Sequence, residues 1–287
     1  MAKAMLSLLV HLHAALLFVP EPAGAGAVYS VSLTISNARD VVVEGVRSVS
    51  SELFHVVVLQ SRGVTVRRVT VEAPADSPNT DGIHIHKSTN VAVYDAAIRT
   101  GDDCVSVGPG NSNLWIERVA CGPGHGISIG SLGKQQGMAV EAVQNVTVKT
   151  TWFTGTTNGL RIKTWGSSKR GYVRGVTFSD STMAGVGNPI IIDQHYCPDG
   201  GCGGGAARGS SSGIKISEVE YADVRGSSAT PVAVSFDCSR SNPCSGIRLR
   251  DVRLTYQGKS LQVAKAMSSC HNAQGTASGL VVPPSCL

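Results

Sequence analysis

The chain has 287 residues, enough to bury a substantial core; only 5% of them are aromatic, while glycine contributes 33. Together with many Val, Ile, Ser and Thr, this argues against helices packed on helices and for strands joined by many turns, a mostly β chain. The net charge of +5 comes without a basic block or interleaved aromatics, which argues against a nucleic-acid partner and suits an acidic polymer.

Residues 1–27 carry Lys3, an apolar stretch from Met5 to Val19 and the small residues Ala25, Gly26 and Ala27. That layout predicts a secretory signal peptide; a membrane anchor fits less well, because the apolar stretch is short and His11 and His13 interrupt it. The mature protein is expected outside the cell and off the membrane. Eight cysteines agree with an oxidising compartment. Cys197 and Cys202, Cys238 and Cys244, and Cys270 and Cys286 are close in sequence, which leaves Cys104 and Cys121 as a fourth pair. Zinc is the competing reading of these cysteines, but metal-module spacings are not assembled near them. Asn145-Val146-Thr147 is one glycosylation sequon.

From Arg39 onward a short apolar alternation recurs: GIHIH from Gly82, CVSVG from Cys104, GISIG from Gly126, GLRIK from Gly159, PIIID from Pro189 and VAVSF from Val232. A second series lies between its members: RDVVVEGVRS from Arg39, RGVTVRRVTV from Arg62, TNVAVYDAAI from Thr89, SNLWIERVAC from Ser112, QNVTVKTTWF from Gln144, SGIKISEVEY from Ser212 and SGIRLRDVRL from Ser245. Two strand signals per repeat with no helix between them describe the coils of a parallel β-helix. A β-sandwich would need tight hairpin signals and would not repeat at one-coil spacing. The Gly-rich insert between Cys197 and Gly213 is expected to be a surface loop.

Equivalent residues of successive coils stack about 4.8 Å apart. Ile83, Val105, Ile127 and Leu160 then form one core column, and Ile85, Val107, Ile129 and Ile162 another. The same alignment puts Asp81, Asp103, His125 and Asn158 in a single column, with Asp102 one residue before it. His84, Ser106, Ser128 and Arg161 fall on the outer face, followed two residues on by His86, Gly108, Gly130 and Lys163. Three carboxylates, an imidazole and two cations converge on one patch. Adjacent carboxylates repel when both are ionised, so at least one is expected to hold its proton more tightly, as glycosidic cleavage requires of an acid. Taken singly, each has a bland explanation: Asp-Asp pairs serve turns, His125 between glycines could be structural, and Arg161 with Lys163 could be a solvated face.

In order, NTDG (Asn79 to Gly82), GDDC (Gly101 to Cys104), GHGISIGSLG (Gly124 to Gly133) and RIK (Arg161 to Lys163), with NPIIIDQHYC from Asn188 to Cys197, resemble the signature motifs of the polygalacturonases of glycoside hydrolase family 28, the plant members above all. The resemblance runs from about residue 30 to the end. It implies a single-stranded, right-handed parallel β-helix of the pectin-lyase-like kind. It also implies hydrolysis of α-1,4 bonds between galacturonates of de-esterified pectin with inversion, without metal or cofactor, in plant cell wall modification.

Carried over by position, Asp102 is the general acid, and Asp81 and Asp103 bind and activate the water. His125 supports the acid or holds substrate. Arg161 and Lys163 bind galacturonate carboxylates, and Asn79 and Tyr196 assist. NGLRIKTW, from Asn158 to Trp165, looks more like endo-acting members. A monomer is expected.

Residues 28–287 are expected to form one domain lacking the cap and first coils that members generally carry, since the repeat begins within a few residues of Ala27. Two alternatives remain at this stage. One is a pectin-binding homologue impaired in turnover by the short beginning; the other is a calcium-dependent pectate lyase, for which no separate acidic cluster is seen.

Overall fold

The computed structural model describes residues 30–134, 140–198, 212–257 and 263–287. The expected signal peptide, the Gly-rich insert beyond residue 198 and Cys202, the expected partner of Cys197, lie outside the described residues.

Among the described residues every regular element is a strand. Nine of them form one sheet, each hydrogen-bonded to the equivalent strand of the next coil: Leu33–Ser36, Val56–Leu59, Ile83–His86, Val105–Val107, Ile127–Leu132, Asn158–Trp165, Asn188–Tyr196, Val232–Asp237 and Met267–His271. The pairing is parallel throughout this sheet. A second, 13-stranded sheet closes the solenoid, and its successive members are likewise parallel from coil to coil. A parallel β-helix is therefore the observed architecture.

The coil differs from the two-strand expectation in one respect. In the middle coils the second strand is long, as in Asn111–Cys121 and Gly171–Val186, and residues at positive φ bend it, Asn113 and Gly175 near its start and Arg118 and Asp180 at a mid-strand corner. In register, these corner residues are Gly45, Arg68, Asp95, Arg118, Thr150, Asp180, Asp223, Asp251 and Gly279, with φ between 47° and 69°. In the outer coils the strand breaks there, as between Arg62–Arg67 and Thr70–Glu72. The left-handed residue at this corner reverses the alternation of sides, so each coil gains a third face without a turn signal in the sequence.

The interior is built from the predicted columns. Ile83, Val105, Ile127 and Leu160 are in register and fully buried, as are Ile85, Val107, Ile129 and Ile162. Phe178 stacks on Tyr221 at 5.0 Å, and Phe236 packs against Tyr221 at 5.9 Å, filling the interior of the later coils. Disulfides join Cys104 to Cys121, Cys238 to Cys244 and Cys270 to Cys286, as the spacings suggested.

Candidate active site

The outer face of the nine-stranded sheet carries the polar residues. Ile83, Val105, Ile127 and Leu160 are mutually in register. Residues two positions earlier, Asp81, Asp103, His125 and Asn158, therefore start successive rungs at equivalent points, as the alignment predicted. Asn158 donates to the His125 carbonyl at 3.2 Å, and Asn188 on the next rung donates to Asn158 Oδ1 at 3.1 Å. The glycines around His125 have a steric cause: Gly126 sits at φ +90°, and a Cβ there would lie 2.2 Å from the Asn158 carbonyl oxygen.

Asp103 is the electrostatic centre. It is 1% exposed, and its two oxygens are fully engaged. Oδ1 accepts from Arg161 Nη2 at 2.6 Å and from the Ser128 hydroxyl at 2.7 Å, while Oδ2 accepts from Lys163 Nζ at 2.9 Å. Arg161 Nε also donates to Ser128 Oγ at 2.8 Å. Burial pushes the Asp103 carboxyl up, but the charges of Arg161 and Lys163, with the bonds from Lys163 and Ser128, outweigh it and hold the group down to about 2. Arg161 and Lys163 were expected to meet substrate; in the structure both are themselves nearly buried and bound first to Asp103. Tyr196 covers them, its ring 5.0 Å from Lys163 Nζ and 5.9 Å from the Arg161 guanidinium carbon, with Trp165 packed edge-on at 5.3 Å.

Asp81, one rung back, goes the other way. Its burial, then the negative charges of Asp103 and Asp102, push its carboxyl well above the usual range, opposed by a hydrogen bond from Ser106 and by the Lys163 charge. The tighter-held proton expected within the Asp-Asp pair is not found at Asp103, which its cations stabilise as an anion; the raised carboxyl is Asp81, on the preceding rung.

Asp102 lies at the open side of the cluster, its side chain 22% exposed. Its Oδ1 is 3.0 Å from His125 Nδ1 and accepts the Asp103 backbone N–H at 2.8 Å, and its Oδ2 accepts the Asn79 N–H at 3.3 Å. A protonated Asp102 can donate to the imidazole lone pair, and an ionised one can accept from an Nδ1–H, so His125 can accompany the carboxyl through either state.

All eight predicted site residues therefore gather on this face. Not singled out from sequence were Ser106, Ser128 and His84, which bond the carboxylates or each other. Strand alternation put them on the right face, but nothing in a serine's type announces a carboxylate partner one rung away. On the two rungs after Arg161 and Lys163, Asp193 and His195, on the strand of Tyr196, and then Asp237 form a second polar cluster, with His195 Nδ1 3.2 Å from Asp237 Oδ2.

The opposite shifts of Asp103 and Asp81 give a signed prediction for stability. Asp103 is lower when folded, so its contribution is full above its ordinary value of 3.8 and is lost as pH falls toward about 2. Asp81 is raised, so it costs stability where it is ionised and relieves that cost as pH falls through its folded value. Urea unfolding against pH should show an acid loss that flattens in Asp103→Asn, whereas Asp81→Asn should stabilise the protein at neutral pH.

The chain matches the family model described as glycosyl hydrolases family 28 over residues 26–279. It is 52% identical to a polygalacturonase of Prunus persica over 93% of this chain and 64% of that one, and 42% identical to an exopolygalacturonase of Platanus acerifolia over 88% and 65%. The chain thus spans slightly less than two thirds of the length of these curated relatives. Among solved structures, the endo-xylogalacturonan hydrolase from Aspergillus tubingensis aligns with a TM-score of 0.71 at 23% identity, covering 87% of this chain and 68% of that chain. Endopolygalacturonase I from Stereum purpureum, complexed with two galacturonate, aligns at 0.67 and 23%, covering 85% and 70%. At that identity the likeness carries the fold, the right-handed parallel β-helix.

Proposed function

The chain belongs to glycosyl hydrolases family 28, and from that premise we propose that it is a polygalacturonase, cleaving α-1,4 bonds between galacturonates of de-esterified pectin. The observation that carries this reading is the pairing of Asp102, partly exposed to solvent, with a buried carboxylate, Asp103, fixed by Arg161 and Lys163. Asp102 serves as the acid that protonates the leaving oxygen, with His125 beside it. Asp81 and Asp103 hold and activate the water. Asp103 takes up one of the two positive charges, so Arg161 and Lys163 together keep a net positive charge for a galacturonate carboxylate under the Tyr196 ring. Asn79 positions Asp102 through its backbone N–H.

We propose inversion on the family resemblance. One oxygen of Asp102 and one of Asp103 lie within 4.8 Å of each other, closer than the about 6.5–9.5 Å usual for inverting pairs, which makes the configuration of the first product the informative readout. Endo action is proposed on the sequence from Asn158 to Trp165. Export directed by residues 1–27, and action in the plant cell wall as a monomer, complete the reading.

The test is reducing-end release from polygalacturonic acid by the secreted protein with chelator present. Hydrolysis should proceed and give a ladder of oligomers. Release of monomer alone would replace endo with exo action, an unsaturated product formed only when calcium replaces the chelator would make the protein a lyase, and binding without release would make it a pectin-binding homologue.

A further inference from the structure

Asp81 must be ionised to take a proton from water, yet its site works against that. It is 6% exposed, faces the Asp103 carboxylate with the Asp102 carboxyl nearby, and has Lys163 as the nearby opposing charge. The direct bond to its carboxylate is from Ser106, whose Oγ donates to Oδ2. A hydroxyl can donate either way, so something must direct its proton. His84 Nδ1 lies 2.8 Å from the same Oγ.

We propose that His84 and Ser106 are a positioning pair for Asp81: an Nδ1–H on His84 donates to the Ser106 oxygen, which turns the hydroxyl proton onto the Asp81 carboxylate and keeps it ionised. The inference rests on the reading of Asp81 as a base, but its geometry does not. Two proton arrangements satisfy the three groups. With Nδ1–H on His84, Ser106 accepts from the ring and donates to an anionic Asp81. With the proton on Nε2 instead, Ser106 donates to the ring, and Asp81 must be protonated to bond Ser106. The tautomer of His84 and the charge of Asp81 are thereby linked.

The ring is held for this task. Phe54, at the equivalent start of the preceding rung, stacks on His84 at 4.6 Å, and His86 stacks behind it at 5.9 Å. Gly108 leaves the room both rings need, since a Cβ there would lie 2.7 Å from His86 Nδ1 and 3.4 Å from His84 Cε1. Burial, then the neighbouring His86, with Lys163 acting in the same direction and Asp103 in the opposite one, bring His84 down to about 4. Above that the ring is neutral and has a single N–H to place.

The experiment is a carboxyl carbon NMR titration of Asp81, assigned with Asp81→Asn, beside ring-nitrogen shifts of His84. The proteins are the parent, Ser106→Ala, His84→Leu and His84→Asn, each first shown to unfold cooperatively like the parent. The proposal expects an Nδ1-protonated His84 in the parent and an Asp81 midpoint raised by about one pH unit in Ser106→Ala, as for loss of a bond to a charged group. His84→Leu should move it the same way by less. His84→Asn, whose amide N–H can stand where Nδ1–H stood, should leave it in place. In active protein the acid limb of kcat/KM should move with it. An Nε2 tautomer in the parent, or an unmoved Asp81 midpoint in Ser106→Ala and His84→Leu, overturns the pair. Because the titration needs no turnover, an inactive parent with a shifting Asp81 defeats the hydrolase reading and leaves the pair standing, and an active parent with no shift does the reverse.

Discussion

Asp102→Asn is expected to lower kcat on polygalacturonic acid by about 10²–10⁴-fold, the range set by loss of a general acid, with KM changed little. Asparagine keeps the shape and one acceptor oxygen, which serves the Asp103 N–H bonded to Oδ1, while the longer 3.3 Å bond from the exposed Asn79 N–H to Oδ2 passes to water. The side chain is 22% exposed, so the substitution buries no new polar group. The variant should therefore melt like the parent, and the loss should sit in the chemical step. Reducing-end assays over a range of substrate concentrations, beside a thermal melt, separate the two. A variant within threefold of the parent would remove Asp102 from the acid's role.

Arg161→Leu should instead act on the fold. It removes one of two cations from a carboxylate that is 1% exposed, leaving a buried charge half-compensated, and such truncations cost about 3–5 kcal/mol. Arg161→Leu should unfold at markedly lower urea, with m unchanged. Adding Asp103→Asn should recover part of that loss, because the stranded charge is then gone; Lys163 Nζ, which bonds Asp103 Oδ2, keeps a side-chain oxygen as partner. A double-mutant cycle with no coupling between the two positions would mean that this ion pair is not what organises the site.

Much of this was legible in the sequence because period-2 alternation and near-equal coil lengths fix which residues stack. The columns from Ile83 to Leu160 and from Asp81 to Asn158 could be drawn without coordinates. The third face of the coil was not legible, because its corner is one left-handed residue whose type varies from Gly45 to Arg118 to Thr150. Nor was the engagement of Arg161 and Lys163 with Asp103, 58 and 60 residues away along the chain. Residue types gave their charge and face, but whether a cation on that face meets a buried carboxylate or a ligand depends on side-chain reach across two rungs. For the same reason the Asp-Asp motif placed the raised carboxyl within the pair, whereas it is Asp81, whose partner Ser106 comes from the next rung.

The most direct measurement is proton NMR of the anomeric signals as the protein acts on a short oligogalacturonate with chelator present. The site described here predicts that the β-anomer of the new reducing end appears first, then mutarotates, and that Asp102→Asn suppresses it. An α-anomer formed first would contradict direct attack by water held at Asp81 and Asp103, and an unsaturated sugar in place of a new reducing end formed by water would contradict hydrolysis itself.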